Sequence, residues 1–203
     1  MDIKPIFNSN PNIDQTEYYY FDKGFTDEEL DWINNLTELY DFDEASVVGS
    51  TTGDDISKIR KSKVKWLPYN EKTQWLYEKL SNFAIEANNE IWGFNIHSVI
   101  DNIQYTEYHE REKKSKMGDH YDWHVDIGPS SINHRKISIV VQLSDPDDYV
   151  GGDLILWNGR QSYINKKKGA VAVFPSFILH KVSPIQKGLR KSLVLWLSGD
   201  PYQ

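Results

Sequence analysis

Lys136-Ile137-Ser138-Ile139-Val140-Val141-Gln142-Leu143 runs straight into Ser144-Asp145-Pro146, and Gly151-Gly152 then precedes Leu154-Ile155-Leu156-Trp157 and Asn158-Gly159. Short runs rich in β-branched residues, closed off by Gly, Pro, Asn and Asp, read as strands joined by tight turns. The rhythm extends both ways. Val99–Tyr108 and Tyr121–Val125 lie upstream; Ser162–Ile164, Val171–Phe174 and Leu189–Leu197 lie downstream, with Gly128-Pro129, Gly169, Pro184 and Gly188 between them. About seven or eight short strands at intervals of roughly 8–12 residues predict a sandwich or barrel rather than a parallel sheet. Arg111–Lys116 reads as an exposed basic loop inserted between the first two of these strands.

Ahead of His97 the pattern is helical. Residues 1–16 are polar, contain Pro5 and Pro11, and form a lead-in to a strand at Tyr18–Phe21. Thr26 followed three residues later by Glu29 is a capping box, opening a helix through Leu30, Ile33 and Leu36. Residues 41–63 read as strand fragments and loop. Asn70 is placed as the cap of a second helix carrying Trp75, Leu76, Leu80, Phe83, Ile85 and Ala87, continuing to Trp92 and ended by Gly93. With no internal repeat and no linker, the whole 1–203 is expected to be one domain, residues 1–96 forming a helical support and 97–203 the β core.

The 203 residues include no cysteine, which removes disulfides, iron–sulfur clusters, cysteine-bound zinc and thiol nucleophiles. A formal charge of −7 disfavours sequence-independent grip on a phosphate backbone. The first residues show no basic stretch leading into an apolar one, and the longest apolar run, Ala170–Leu179, is broken by Pro175 and Ser176. A soluble, cytoplasmic protein without a membrane segment is the expectation.

The chemistry concentrates at His124-Val125-Asp126 and His180. Residues i and i+2 of a strand share a face, so His124 and Asp126 can converge, and His180 lies 54 residues beyond Asp126 at the end of an apolar run. Two imidazoles and one carboxylate on one side of a metal leave the other side open, the facial arrangement of non-haem Fe(II) oxygenases. Arg190 follows ten residues after His180, across Pro184 and Gly188. Two antiparallel strands joined by a turn would point both residues into one cavity. A guanidinium inside an apolar barrel needs an anion, and a dicarboxylate supplies one; Ser192, on the same face, can add a hydroxyl.

Tyr121-x-x-His124-x-Asp126, Leu143-Ser144-Asp145-Pro146, Tyr149-x-Gly151-Gly152-x-Leu154, Phe174-Pro175-Ser176 with His180, and Arg190 with Trp196 occur in that order over residues 121–203. This segment resembles the Fe(II)/2-oxoglutarate-dependent dioxygenases, in particular the prolyl 4-hydroxylase-like branch that includes bacterial and phage PKHD-type hydroxylases. The resemblance implies a mainly β protein with N-terminal helices: a double-stranded β-helix, or jelly-roll (cupin-like) barrel, with helices packed on one face. It implies Fe(II) held by His124, Asp126 and His180, and 2-oxoglutarate as cosubstrate anchored on Arg190. Tyr108 matches the family tyrosine that donates a hydroxyl to cosubstrate. Gln142 stands where relatives often place a second such tyrosine, so Ser192 and Gln142 are both candidates for the second donor. O2 would be consumed and succinate and CO2 released, with ascorbate as a possible reductant. The substrate would be a peptide or protein, proline by family, with a small molecule as an option and a host-cell cytoplasm as the setting if the source is viral.

Tyr121, Trp123 and Trp196 are candidates for a substrate groove, with Trp157 beside Trp123. His97, His109, His120 and His134 lack ligand spacing and are assigned surface or structural roles, His120 facing away from His124. Trp66, Trp75 and Trp92 are expected to pack helices, Gly151-Gly152 to allow a close backbone approach, and Lys58–Lys65 and Lys166–Lys168 to be solvated faces. Two other functions remain. A nucleic-acid demethylase of the same superfamily usually carries another arginine where this chain has Trp196. A non-oxidative cupin-like metal- or ligand-binding module would have no use for a buried Arg190.

Overall fold

The computed structural model describes residues 17–44, 59–111, 117–129 and 132–201. The lead-in at 1–16, most of the 41–63 stretch of strand fragments and loop, and most of the Arg111–Lys116 insertion lie outside the described residues.

Along the chain come β1 (Tyr19–Phe21), α1 (Asp27–Thr37), β2 (Asp43–Glu44), β3 (Arg60–Lys61), β4 (Lys63–Leu67) and α2 (Gln74–Ala87), the last running into a π turn at Asn88–Trp92. There follow β5 (Ile96–Ser98), β6 (Ile103–His109), β7 (His120–His124), β8 (Arg135–Gln142), β9 (Tyr149–Gly151), β10 (Leu154–Trp157), β11 (Gln161–Tyr163), β12 (Val171–Pro175), β13 (Leu179–Val182) and β14 (Ile185–Gly199). All pairings are antiparallel. A larger sheet runs β1-β12-β8-β14-β6-β4-β2, with β5 and β9 also on β14, and a smaller one runs β11-β10-β13-β7-β3. The two face each other as a double-stranded β-helix.

Alternation along the strands explains the layering. On the larger sheet Ile137, Ile139 and Val141 of β8, Val171 and Val173 of β12, and Leu193, Leu195 and Leu197 of β14 turn outward and meet Leu30, Ile33 and Leu36 of α1 and Leu76, Leu80 and Ala84 of α2. The intervening residues, Val140 of β8 with Ala172 and Phe174 of β12, turn inward against Leu154, Leu156 and Val182 of the smaller sheet. β12 is therefore apolar on both faces, as a covered strand requires, whereas β8 and β14 also turn polar residues such as Ser138 and Arg190 inward.

The capping box of α1 is present: Glu29 N donates to Thr26 Oγ1 at 3.3 Å and Thr26 N to Glu29 Oε2 at 2.8 Å. The second helix starts later than expected. Asn70 accepts from Lys72 N at 2.9 Å, making a turn ahead of the helix, and Thr73 is the cap residue. The end is as expected, with Gly93 at φ +66 closing the π turn. Strands also differ from the sequence reading. The expected Val99–Tyr108 strand starts only at Ile103, since Val99–Asn102 is loop after the short β5, and β14 is longer than Leu189–Leu197 because β9 and β5 extend its ends.

One topological expectation is corrected. His180 and Arg190 do not sit on paired strands: β13 pairs with β10 and β7, whereas β14 pairs with β8, β6, β5 and β9. They face each other across the barrel instead, because Ser183 and Pro184 carry the chain from one sheet to the other.

Candidate active site

His124 and His180 are directly opposed residues of the β7–β13 ladder, and their rings lie 4.1 Å apart, centroid to centroid. Asp126 comes from outside the ladder. β7 ends at His124, so the face-sharing argument does not place the carboxylate; Asp126 N donates to Ser176 O at 2.8 Å and Ser138 Oγ donates to Asp126 Oδ2 at 2.6 Å. Ser138 and Ser176 are themselves 3.0 Å apart. The carboxylate then bridges the two imidazoles, 3.6 Å from His124 Nε2 and 3.5 Å from His180 Nε2.

The proton positions follow from the partners. His124 Nδ1 meets Asp122 O at 2.7 Å and His180 Nδ1 meets Ile178 O at 2.9 Å. A carbonyl can only accept, so each Nδ1 carries hydrogen and each Nε2 is the ring atom turned toward Asp126. Burial, reinforced by His180, holds His124 down at about 3, so its imidazole is neutral. Burial pushes the Asp126 carboxyl up, but His180, His124 and the Ser138 hydroxyl outweigh it and keep the group ionised. The Trp196 indole pulls the same way without reaching hydrogen-bond geometry. Two imidazoles whose Nδ1 atoms are held by carbonyls, one carboxylate, and candidate donor atoms within 4.8 Å of one another suit a divalent transition metal such as Fe(II).

The cluster opens on a cavity of about 300 Å³ between the sheets, walled by Val140, Leu154, Val182 and Val194 and by Tyr108, Tyr121, Arg190, Ser192 and Trp196. Arg190 is only 1% exposed, and among the described residues no carboxylate pairs with it. Its contacts are neutral: Nη1 reaches Ser192 Oγ at 3.4 Å, Nη2 donates to Gln142 Oε1 at 3.1 Å, and the Tyr108 ring centre lies 5.4 Å from the guanidinium carbon. Burial raises the Tyr108 phenol, which therefore stays protonated and able to donate.

Tyr121 and Trp196 line the cavity; Trp123 does not, nor does Trp157. Trp123 packs edge-on against Trp157, with Lys181 over its ring, on the other face of the smaller sheet. Gln142 also lies off the cavity wall, behind Arg190. Tyr121 reaches the site because a bulge in the β7–β13 register pairs Val182 with Tyr121 and His180 with His124. The same bulge leaves His120 off the cavity wall, buried against Gly118 O, so its expected orientation holds for a different reason.

Two cavity residues were assigned otherwise from sequence. Trp66 lines the cavity instead of packing helices, and Arg60, counted among the solvated cations, is buried with its guanidinium 4.7 Å from the Tyr121 ring centre. The signal was parity: Val64 and Trp66 alternate with Lys65 and Leu67, and Lys65 is buried too, donating to Thr37 O at 3.0 Å. Of the other tryptophans, Trp75 meets Trp32 edge-on and Trp92 stacks on Phe94, as expected.

A double-stranded β-helix with a His–Asp–His cluster at one mouth and a buried arginine facing it defines the non-haem-iron oxygenase class of barrel. Residues 103–198 match the model of the 2OG-Fe(II) oxygenase superfamily. A PKHD-type hydroxylase of Synechococcus sp. (strain CC9902) is 40% identical over 86 residues, 41% of this chain and 38% of that protein. One from Thermosynechococcus vestitus is 25% identical over 186 residues, covering 90% and 80%. The chain spans 38% and 39% of the first two curated relatives it matches. Among solved structures, a Trichoplax adhaerens prolyl hydroxylase in complex with a hypoxia inducible factor peptide fragment superposes with TM-score 0.70 at 15% identity, over 90% of this chain and 83% of that one. A Pseudomonas putida prolyl-4-hydroxylase gives 0.65 at 16% identity, over 91% and 93%.

Proposed function

We propose that this chain is an Fe(II)- and 2-oxoglutarate-dependent dioxygenase that hydroxylates an unactivated C–H bond, in a prolyl or other side chain of a peptide or protein, releasing succinate and CO2. The observation that carries the proposal is a fully buried arginine without a carboxylate partner, facing a His–Asp–His cluster across one cavity. His124, Asp126 and His180 hold the ferrous ion, which when bound supplies the activation of O2 coupled to cosubstrate decarboxylation. Ser138 and the Ser176 carbonyl fix Asp126, and the Asp122 and Ile178 carbonyls fix the two imidazoles. Arg190 takes the far carboxylate of the cosubstrate, with Ser192 beside it and the Tyr108 hydroxyl as a further donor. Val140, Leu154, Val182 and Val194 keep water from the space between. Tyr121 and Trp196 line the side on which the substrate side chain enters, and ascorbate serves as the reductant that returns the metal to the ferrous state.

A peptide substrate is supported by the prolyl hydroxylase neighbours, one of which holds a peptide fragment. The test is anaerobic loading with Fe(II) and 2-oxoglutarate, then exposure to O2 with a library of proline-containing peptides. Succinate release together with the mass gain of one oxygen atom on a prolyl peptide is expected. Formaldehyde from a methylated oligonucleotide would assign demethylation instead, and no succinate under any condition would leave a non-oxidative binding module.

A further inference from the structure

Arg190 raises a question that its anchoring role does not answer: how a guanidinium is held in one orientation inside a barrel before any anion arrives. Its two hydrogen-bond partners are both uncharged. Ser192 sits on Nη1 and Gln142 on Nη2. The Gln142 amide orientation is fixed by that contact, since turning it would set one donor against another. Tyr149 closes the remaining side. Its phenol is raised by burial and drawn back by Arg190, and its hydroxyl and Arg190 Nε are both buried without a hydrogen-bond partner among the described residues. Gly152, at φ +61, lets these groups meet: a Cβ there would lie 2.9 Å from Arg190 Cδ and 3.2 Å from Tyr149 Cε2.

Resting on the reading of Arg190 as the cosubstrate anchor, we infer that Gln142 and Tyr149 form a neutral cradle that orients the Arg190 fork while leaving its charge unneutralised, so that only an incoming carboxylate completes the site. Both are positioning residues. Neither lines the cavity, so they act on the ligand through Arg190. Gln142 thus does not replace the family tyrosine as a direct donor. It holds the arginine from behind, and an acidic residue at the same position would occupy the arginine permanently. The site is selective for an anion because no carboxylate among the described residues pairs with Arg190.

Gln142→Glu tests this in the full chain. The variant places a carboxylate where Gln142 Oε1 now meets Arg190, and should raise the melting temperature while weakening 2-oxoglutarate binding at least tenfold, by calorimetric titration into Mn(II)-loaded protein. Mn(II) affinity should stay within twofold of the parent. Glutarate should raise the melting temperature of the metal-free parent and leave that of the variant unchanged. Tyr149→Phe keeps the ring and removes the hydroxyl, and should raise the 2-oxoglutarate KM severalfold with kcat held. If Gln142→Glu does not fold, Tyr149→Phe and the glutarate shift decide alone. Binding of 2-oxoglutarate by Gln142→Glu within twofold of the parent, or an unchanged KM in Tyr149→Phe, overturns the cradle. Arg190→Gln separates the two readings: if it abolishes diacid binding while Gln142→Glu does not, the anchor stands and the cradle falls. If the parent binds no diacid, both fall.

Discussion

Asp126 is held by a backbone acceptor at Ser176 and a hydroxyl at Ser138, and it supplies the only negative charge in the donor cluster. Asp126→Ala should therefore abolish stoichiometric Fe(II) or Co(II) binding with the fold retained, checked by cobalt absorption and circular dichroism; undiminished binding would remove Asp126 as a ligand. Tyr121 makes a pH prediction. Burial pushes its phenol up to about 12 from the ordinary 10.0, against the pull of Arg60. A raised folded value means that the stabilisation is complete below pH 10 and lost as pH rises from 10 to 12. At about 1.36 kcal/mol per unit this amounts to on the order of 3 kcal/mol. Tyr121→Phe should flatten that part of the alkaline stability curve, and an unchanged slope would contradict the assignment. At this scale the sequence was legible where one residue type has few uses: the His-x-Asp spacing and an arginine in an apolar strand. Arg60 was not legible, because a lysine-rich neighbourhood looks solvated until β3 is seen to pair with β7, with Arg60 opposite Tyr121.

Elements were readable to the extent that local chemistry decides them. The Thr26–Glu29 box is a local interaction and is formed in the structure. Thr26→Ala should cost about 1 kcal/mol of global stability in urea melts, with no effect on metal binding, since α1 packs on the outer face of the larger sheet. A loss of metal affinity in that variant would show that the helix face and the barrel interior are coupled. The start of α2 was misplaced by three residues because Asn70 satisfies its own turn, a competition between side chain and helix that composition does not resolve. Strand partners were less legible still. Turn residues mark where strands end, but the placement of β13 and β14 in opposite sheets depends on long-range pairing.

For the whole molecule, the hydrophobic layers are built from residues outside the donor cluster: helices on one face of the larger sheet, and apolar side chains between the two sheets. Chelation should leave the far-UV circular dichroism unchanged. Mn(II) with 2-oxoglutarate should then raise the melting temperature by mass action, by about 2.7 kcal/mol of stability at one hundred times the dissociation constant. A chain that unfolds when stripped of metal would assign the ion a structural role instead. Among the described residues no helix is long and apolar enough to cross a membrane. β14 carries Leu193, Leu195 and Leu197 toward the helices and Arg190, Ser192 and Trp196 toward the cavity. Foldability and ligand choice are thus written on alternate letters of one ribbon. A single-residue insertion in it would transpose the two texts, so new specificities can arise there only by point replacement, while the peripheral loops remain free to change length.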